Sequence, residues 1–348
     1  MRPSFEFGGT VVKAGAQAEI QLRVPDLYTN NSMYCDVYVI HGKKAGPVLF
    51  VSATIHGDEI NGIEIIRRML NTKAVSRVRG TIIAVPVVNI FGFISKSRYL
   101  PDRRDLNRSF PGSETGSLAA RMAHVFLNEI VAKSTHGIDL HTAAVHRDNL
   151  PQIRAVIDDP ETSRMANAFN APVIVNTSVV EGTLRHAASE LGIPVIVYEA
   201  GEALRFDEVS IRGGVKGVIG VMREIGMLPK TRKVSKEKSA YVARTSIWVR
   251  APRSGILRAN KTLGHKVAEG ELLGIVSDPL GNIEESILSP TEGIIIGRTT
   301  IPLVNEGEAL FHIARFKDAE TVFDTVEGFQ NEMNPATDAR PSSEAPIV

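Results

Sequence analysis

The sequence is poor in cysteine: Cys35 is the only one among its 348 residues. A single thiol excludes an internal disulfide and a cage of thiolates around zinc, so any metal site must be built from histidine and carboxylate side chains. Cys35 lies in a stretch of strand-like composition. We therefore interpret it as a small buried apolar side chain rather than as a catalytic thiol.

The sequence also lacks long apolar runs and an excess of charge of either sign. No window approaches the run of about 18 apolar residues that a membrane-spanning helix needs, and the N-terminal stretch MRPSFEFGGT has no apolar core typical of a secretory signal. The 40 basic residues are balanced by 39 acidic ones, which leaves a net charge of +1. This balance gives no reason to expect nucleic acid or an anionic membrane as a partner. Because the sequence shows neither a membrane-spanning run nor a secretory signal, we expect a cytoplasmic protein.

Strand and helix patterns alternate over the first two thirds of the chain. Apolar or β-branched runs predict strands at 33–42, 48–55, 80–88, 137–141, 153–157 and 193–199, and helical spacing predicts helices at 59–70, 118–131 and 215–227. Several of these strands are apolar at nearly every position, which is typical of strands that are covered on both faces. The alternation predicts an α/β domain over residues 1–235, with a mixed, largely parallel central sheet flanked by helices.

The pattern changes near residue 236, where helical periodicity stops and short strands separated by glycine begin. This pattern of short strands separated by glycine predicts a small all-β domain of the barrel-sandwich kind over residues 236–316. The polar, proline-bearing remainder, 317–348, is expected to be largely disordered.

Ligand-type side chains lie at the ends of two predicted strands. His56 and Glu59 are three residues apart where a buried strand gives way to a helix, and His141 ends the strand 137–141. Ligands of open α/β sheets gather beyond the carboxyl ends of the strands, and two histidines with one carboxylate form the ligand set of a catalytic zinc site. A turn histidine followed by a carboxylate at a helix N-terminus is the alternative for the first motif, which alone does not decide between them.

Two further carboxylates are candidates for this site. Asp139 lies two residues before His141 on the same strand face, so it either orients that histidine or serves packing. Glu199 ends the apolar run PVIVYE, where a charge is costly unless it has a partner or a function. We interpret Glu199 as the general base for an attacking water, with a surface residue at a strand end as the alternative.

The arginine-rich loop 89–112 contains Asp105, Leu106, Asn107 and Arg108 in succession. The planar fork of Arg108 suits a carboxylate, and Asn107 adds a donor. Loops on a rigid scaffold commonly carry such binding residues. The alternative is a solvated basic loop, which is the interpretation that we prefer for Arg103 and Arg104.

Taken in order, these motifs resemble the succinylglutamate desuccinylase and aspartoacylase family of the zinc carboxypeptidase clan. The four motifs are His56-Gly-Asp-Glu59, Asp105-Leu-Asn-Arg108, Asp139-Leu-His141 and Glu199-Ala-Gly201, and the resemblance covers about residues 35–230.

The resemblance assigns a role to each candidate. It implies one zinc ion per chain on His56, Glu59 and His141, a substrate carboxylate bound by Asn107 and Arg108, and Glu199 as the general base. It further implies that an arginine polarises the carbonyl oxygen, for which Arg98 is the candidate, and that Arg185 is a second candidate for substrate contact.

The implied activity is hydrolysis of a linear amide, with removal of the acyl group from an N-acyl amino acid. A zinc metallocarboxypeptidase acting on short peptides is the alternative, because the same metal site serves both reactions. A peptidase needs an open groove, whereas a deacylase for small acylated amino acids tends to have a capped pocket. The additional β domain favours a capped pocket and therefore the deacylase.

The C-terminal β segment itself resembles a biotinyl or lipoyl carrier. No lysine lies between Val267 and Phe316 to hold such a cofactor. We therefore expect a lid or an oligomerisation element, and exposed β edges leave a homo-oligomer open.

Overall fold

The computed structural model describes residues 2–230 and 241–335. Its helices are α1 (Asn61–Leu70), α2 (Ile90–Ser95), α3 (Leu118–Glu129), α4 (Pro160–Phe169), α5 (Leu184–Glu190), α6 (Glu208–Glu224) and α7 (Ala319–Met333). Short 3-10 turns cover Val75–Arg77, Leu106–Arg108 and Val131–Lys133. No helix in these segments combines the length and apolar character that crossing a bilayer requires.

The strands form one large sheet and two smaller ones. They are β1 (Phe5–Phe7), β2 (Thr10–Val12), β3 (Gln17–Val24), β4 (Met33–His41), β5 (Lys44–Ala53), β6 (Arg79–Val85), β7 (His136–Ala143), β8 (Arg147–Ala155), β9 (Val173–Asn176), β10 (Val195–Glu202), β11 (Tyr241–Ala243), β12 (Thr245–Arg250), β13 (Gly255–Ala259), β14 (Lys266–Val267), β15 (Leu272–Ser277), β16 (Glu284–Leu288), β17 (Gly293–Thr299), β18 (Leu303–Val304) and β19 (Ala309–Arg315).

The centre of the large sheet is parallel. Strands β6, β5, β7 and β10 lie side by side and run in one direction. Strands β4 and β3 extend one side antiparallel, and β8 pairs antiparallel with β10 on the other. The predicted α/β fold with a mixed, largely parallel central sheet is confirmed.

Helices cover both faces of this sheet, which explains why its strands are apolar at nearly every position. Leu49 and Val51 of β5 belong to the core that includes the buried faces of α1, α4 and α6. Phe50 between them points the other way, into the core with α3 and α5. Neighbouring residues of one strand thus serve opposite layers, as the two-residue period of a strand requires.

The C-terminal strands continue the large sheet beyond β8. Strand β17 pairs with β8, β19 with β17, and β12 with β19. Strands β13, β15, β16 and β18 form a separate four-stranded sheet, and an apolar core that includes Leu273 and Phe311 lies between the two. The predicted C-terminal β strands are present. The division into two domains stays a prediction, because its boundary at 235–236 lies outside the described residues.

The prediction of disorder from residue 317 is wrong for α7. Asp318 caps this helix by accepting a hydrogen bond from the backbone N–H of Thr321. Val322, Val326 and Met333 are buried along one face at helical spacing. The rest of the predicted disordered tail, 336–348, lies outside the described residues.

Candidate active site

His56 and Glu59 lie in the turn that connects β5 to α1. The turn comes close to α2, because a Cβ at Gly57 would lie 2.0 Å from the carbonyl carbon of Gly92. Glycine is therefore required between the two functional residues. Both side chains are almost inaccessible, since His56 is 4% exposed and Glu59 is 2% exposed.

His141, near the end of β7, completes a cluster with this turn. One ligand atom from each of His56, Glu59 and His141 lies within 4.8 Å of the others. The two oxygens of Glu59 divide between the imidazoles: Oε1 is 2.6 Å from Nδ1 of His56, and Oε2 is 2.8 Å from Nδ1 of His141. The three predicted metal ligands thus meet at the carboxyl edge of the parallel strands.

The second nitrogen of each imidazole faces another carboxylate. His56 Nε2 lies 3.2 Å from Oδ1 of Asp105, and His141 Nε2 lies 2.7 Å from Oδ2 of Asp139. The other oxygen of Asp139 accepts a hydrogen bond from Ser52 Oγ at 2.7 Å. Such partners favour the tautomer with the proton on Nε2, which leaves the Nδ1 lone pair for a metal ion.

This geometry supports the orienting role for Asp139 over a role in packing alone. The matching role of Asp105 toward His56 was not recognised in the sequence, because the path of the loop 89–112 depends on contacts that no local pattern encodes.

The ionisation of the cluster is set by close opposite charges. Burial alone would lower the pKa of both histidines, but Glu59 with Asp105 raises the pKa of His56, and Asp139 with Glu59 raises that of His141 well above its usual value. Burial alone would raise the pKa of Glu59 and Asp105, but the facing imidazoles lower both. The carboxylates are therefore held ionised in a buried position, which suits a bound cation.

Arg98 lies against the same carboxylates. Its Nε and Nη2 donate to Oδ2 of Asp105 at 3.1 and 2.9 Å, and its Nη1 donates to Oε1 of Glu59 at 3.2 Å. The side chain keeps 26% of its surface exposed. The structure thus brings Arg98 to the cluster, and its predicted role in polarising a carbonyl oxygen stays a prediction.

Glu199 lies on β10 directly beside the cluster. Its Cα partner on the parallel strand β7 is His141. Its Oε2 accepts a hydrogen bond from Asn149 Nδ2 at 3.0 Å, and its Oε1 is 3.6 Å from Nε of Arg154. With 14% of its side chain exposed, Glu199 is not the solvated strand-end residue of the alternative interpretation. Asn149 and Arg154 were missed in the sequence, since the pairing of β8 with β10 is not local.

Asn107 and Arg185 lie on segments that are joined by a hydrogen bond. Oδ1 of Asn107 accepts from the backbone N–H of Leu184 at 2.9 Å, which ties the 3-10 turn to the start of α5. Burial and then Arg154 lower the pKa of Arg185 to about 10, while Glu199 and Asp139 act in the opposite direction. The Arg185 guanidinium donates to the backbone carbonyls of Thr177 and Ser178, with Nη1 and Nη2 at 3.4 and 3.3 Å.

Arg108 is placed differently from the other predicted substrate-binding residues. Its side chain is exposed, and its Nη1 donates to the carbonyl of Asn107 at 2.6 Å. Its contact is thus with its own loop. The substrate-binding roles of Asn107, Arg108 and Arg185 stay predictions.

Known proteins resemble this chain in sequence. The family model of the succinylglutamate desuccinylase/aspartoacylase catalytic domain matches residues 45–225. N-alpha-acetyl-L-2,4-diaminobutyric acid deacetylase of Halomonas elongata is 27% identical over 285 residues, which cover 77% of this chain and 82% of the relative.

Solved structures share the fold. A succinylglutamate desuccinylase/aspartoacylase from Rhodobacter sphaeroides matches with a TM-score of 0.78 at 24% identity, covering 87% of this chain and 96% of that one. The product-bound ectoine utilization protein EutE (DoeB) of Ruegeria pomeroyi matches with a TM-score of 0.77 at 24% identity, covering 86% and 94%. The family predicted from the motifs is confirmed: the chain belongs to the succinylglutamate desuccinylase/aspartoacylase family.

Proposed function

We propose that the protein is a zinc-dependent hydrolase that removes the acyl group from an N-acyl amino acid. The observation that carries this proposal is the arrangement in which His56 and His141 turn Nδ1 toward Glu59 while a carboxylate holds each Nε2. Two nitrogen donors and one carboxylate suit zinc, whereas calcium and magnesium prefer ligand sets made of oxygen. Three protein ligands leave a fourth position for water or substrate.

Bound at these residues, one zinc ion would supply a Lewis acid for the amide carbonyl and lower the pKa of the attacking water. Glu199, whose Cα partner on β7 is His141, would take the proton of that water and return it to the leaving amine. Arg98, at the edge of the cluster, is assigned to the negative charge that develops on the carbonyl oxygen.

The amino-acid part of the substrate carries a carboxylate. The candidates to bind it are the guanidinium groups of Arg185 and Arg108 and the side-chain amide of Asn107. Arg185 follows Leu184, whose backbone N–H is bonded to Asn107. Asn107 uses Oδ1 to bond to Leu184, so its amide N–H groups would be its donors to the substrate. Arg108 would have to turn away from its own loop to contribute. The activity of the relative from Halomonas elongata on an acetylated amino acid supports this substrate class.

The test is amine release from a panel of N-acyl amino acids and short peptides, with and without a chelator. We expect turnover of N-acyl amino acids that the chelator abolishes and added zinc restores, with peptides left intact. Turnover of peptides alone would favour the metallocarboxypeptidase instead. Turnover that is insensitive to chelator would contradict the role assigned to the metal.

A further inference from the structure

A groove of 840 Å³ lies at the edge of the large sheet opposite the candidate active site. Lys44 and Arg79, which line it, are the first residues of β5 and β6. These parallel strands run away from the groove, and β5 ends at Ala53, just before His56. At about 3.3 Å per residue, the length of β5 separates the groove from the metal cluster by roughly 30 Å.

The charged residues of the groove are all basic. No aspartate or glutamate is among the residues that line it, which include three lysines and three arginines: Lys43, Lys44, Arg77, Arg79, Arg223 and Lys230. The whole chain is nearly neutral, with 40 basic and 39 acidic residues, so this is a local concentration of one sign. Such a concave basic surface attracts anions, and the attraction grows with the charge of the anion.

None of these six cations, of which Arg223 lies in the last turn of α6, has an ion-pair partner in the part of the chain that the structure describes. On α1, Arg68 is bound by the carboxylates of Glu64 and Glu208. On α4, Arg164 is bound by Glu161. Arg68 and Arg164 are thus neutralised by carboxylates of the chain, whereas the cations of the groove keep charge that a ligand can neutralise.

Part of the lining of the groove is apolar. Its apolar lining residues are Ile40, Val78, Leu228 and Pro229. Pro229 is exposed and Ile40 is half-buried, whereas Val78 and Leu228 are only 5% and 4% exposed. A volume of 840 Å³ falls within the range of small-molecule sites, roughly 300 to 1,000 Å³. The groove therefore offers some apolar surface, mainly from Ile40 and Pro229, next to its cations.

We propose that this groove binds a phosphate-bearing small molecule of nucleotide size, at a site separate from the metal centre. Arginine forks bind phosphate oxygens in pairs, and lysine binds them as a point charge. A ligand with several phosphates carries multiple negative charges, which complement the six cations of the groove. The apolar part of the lining would contact the portion of the ligand that bears no phosphate.

Isothermal titration calorimetry of the zinc-loaded protein at low ionic strength tests the proposal, with ATP, pyrophosphate and adenosine as probes. We expect ATP to bind once per chain, pyrophosphate to bind more weakly than ATP, and adenosine not to bind. Lys44→Ala/Arg79→Ala and, independently, Lys43→Ala/Arg77→Ala should each weaken ATP binding by at least about tenfold, a loss of about 1.4 kcal/mol. All four side chains are exposed, and an unchanged unfolding midpoint verifies that each variant is folded.

Two controls separate the groove from other anion sites. Arg121→Ala/Lys317→Ala removes two exposed cations outside the groove and should leave ATP binding unchanged. His56→Ala disables the metal cluster and should also leave it unchanged, so the result does not depend on the proposed hydrolase activity. Absence of ATP binding, binding that both groove variants retain, or binding that is lost in His56→Ala would each overturn the proposal.

Discussion

Asn149 donates a hydrogen bond to the carboxylate of Glu199 across the antiparallel pair of β8 and β10, with 3.0 Å between Nδ2 and Oε2. On its other side Asn149 is paired with Gly297 of β17, where a Cβ would lie 3.0 Å from Oδ1 of Asn149. The C-terminal strands therefore contact the residue that orients the proposed general base. This adds a positioning role to the predicted roles of lid or oligomerisation element.

Replacing Asn149 should lower turnover without removing the metal. Asn149→Ala deletes the donor to Glu199, and we expect kcat to fall by about 10- to 100-fold with the zinc content unchanged. Asn149→Asp should be more severe, because it adds a second negative charge beside the first. Steady-state kinetics with metal analysis checks this, and equal activity of the wild-type, Ala and Asp proteins would contradict the positioning role.

The carboxylates behind the two histidines should control metal affinity. Asp105→Asn and Asp139→Asn each remove a charge that holds an imidazole in place, and we expect zinc affinity to fall about 10- to 100-fold in each. Asp102→Asn is a matched control on the same loop, because Asp102 accepts from the backbone N–H of Ala119 instead of from a histidine. Competition with a chromophoric chelator measures the affinities, and identical values for all three variants would be evidence against the assigned roles.

Asp148 should make stability depend on pH. Burial, with Asp207 and Glu202, raises its pKa to about 6 against the opposing charge of Arg298. An unfolded aspartate has a pKa near 3.9, so between about pH 4 and pH 6 the folded chain holds a proton that the unfolded chain releases. The free energy of unfolding therefore falls as pH rises through this window, and it stays lower above it.

Asp148→Asn removes this penalty. We expect it to raise the free energy of unfolding by about 1 to 2 kcal/mol near pH 7.5 and to give no gain near pH 4. Urea unfolding at the two pH values checks the difference. An equal gain at both would show that the effect is not caused by ionisation of Asp148.

Cys35 should be unreactive and dispensable for activity. Burial, with the nearby charge of Asp36, raises the pKa of its thiol to about 12, and its Sγ contacts the carbonyl of Val87 at 3.2 Å. With so little thiolate present near pH 8, we expect labelling by a thiol reagent to be about 1,000-fold slower in the folded than in the unfolded protein. Cys35→Ala should keep turnover, and rapid labelling or inactivity of this variant would contradict the interpretation of a buried apolar side chain.

The parts of the site that sequence could predict depend on short-range periodicity. The apolar run before His56 marks the end of β5, and α1 begins at Asn61, two residues after Glu59, so both ligands lie in one turn. Asp139 and His141 share a strand face because they are two residues apart, and their side chains do meet. Such relationships follow from local geometry alone.

The parts that sequence could not predict depend on distant pairing. Asp105 reaches His56 from a loop 49 residues away, and Asn149 reaches Glu199 from 50 residues away. The sequence prediction does not include α7, because the polar, proline-bearing composition that follows the helix indicates disorder, although the buried residues of α7 have helical spacing. For α7, the helical spacing of the apolar residues is therefore a better guide to structure than the polar composition of the C-terminal segment.

The most direct test of the central claim is to measure zinc content and amine release side by side in wild-type, His141→Ala and Glu199→Gln proteins. His136→Ala serves as a control, since this histidine at the other end of β7 is bound to Glu161 instead of Glu59. We predict one zinc and chelator-sensitive turnover in wild type and His136→Ala, neither in His141→Ala, and one zinc with almost no turnover in Glu199→Gln. Near-normal turnover of Glu199→Gln, or turnover by His141→Ala without metal, would contradict the assignment of this cluster as the centre of a zinc-dependent hydrolase.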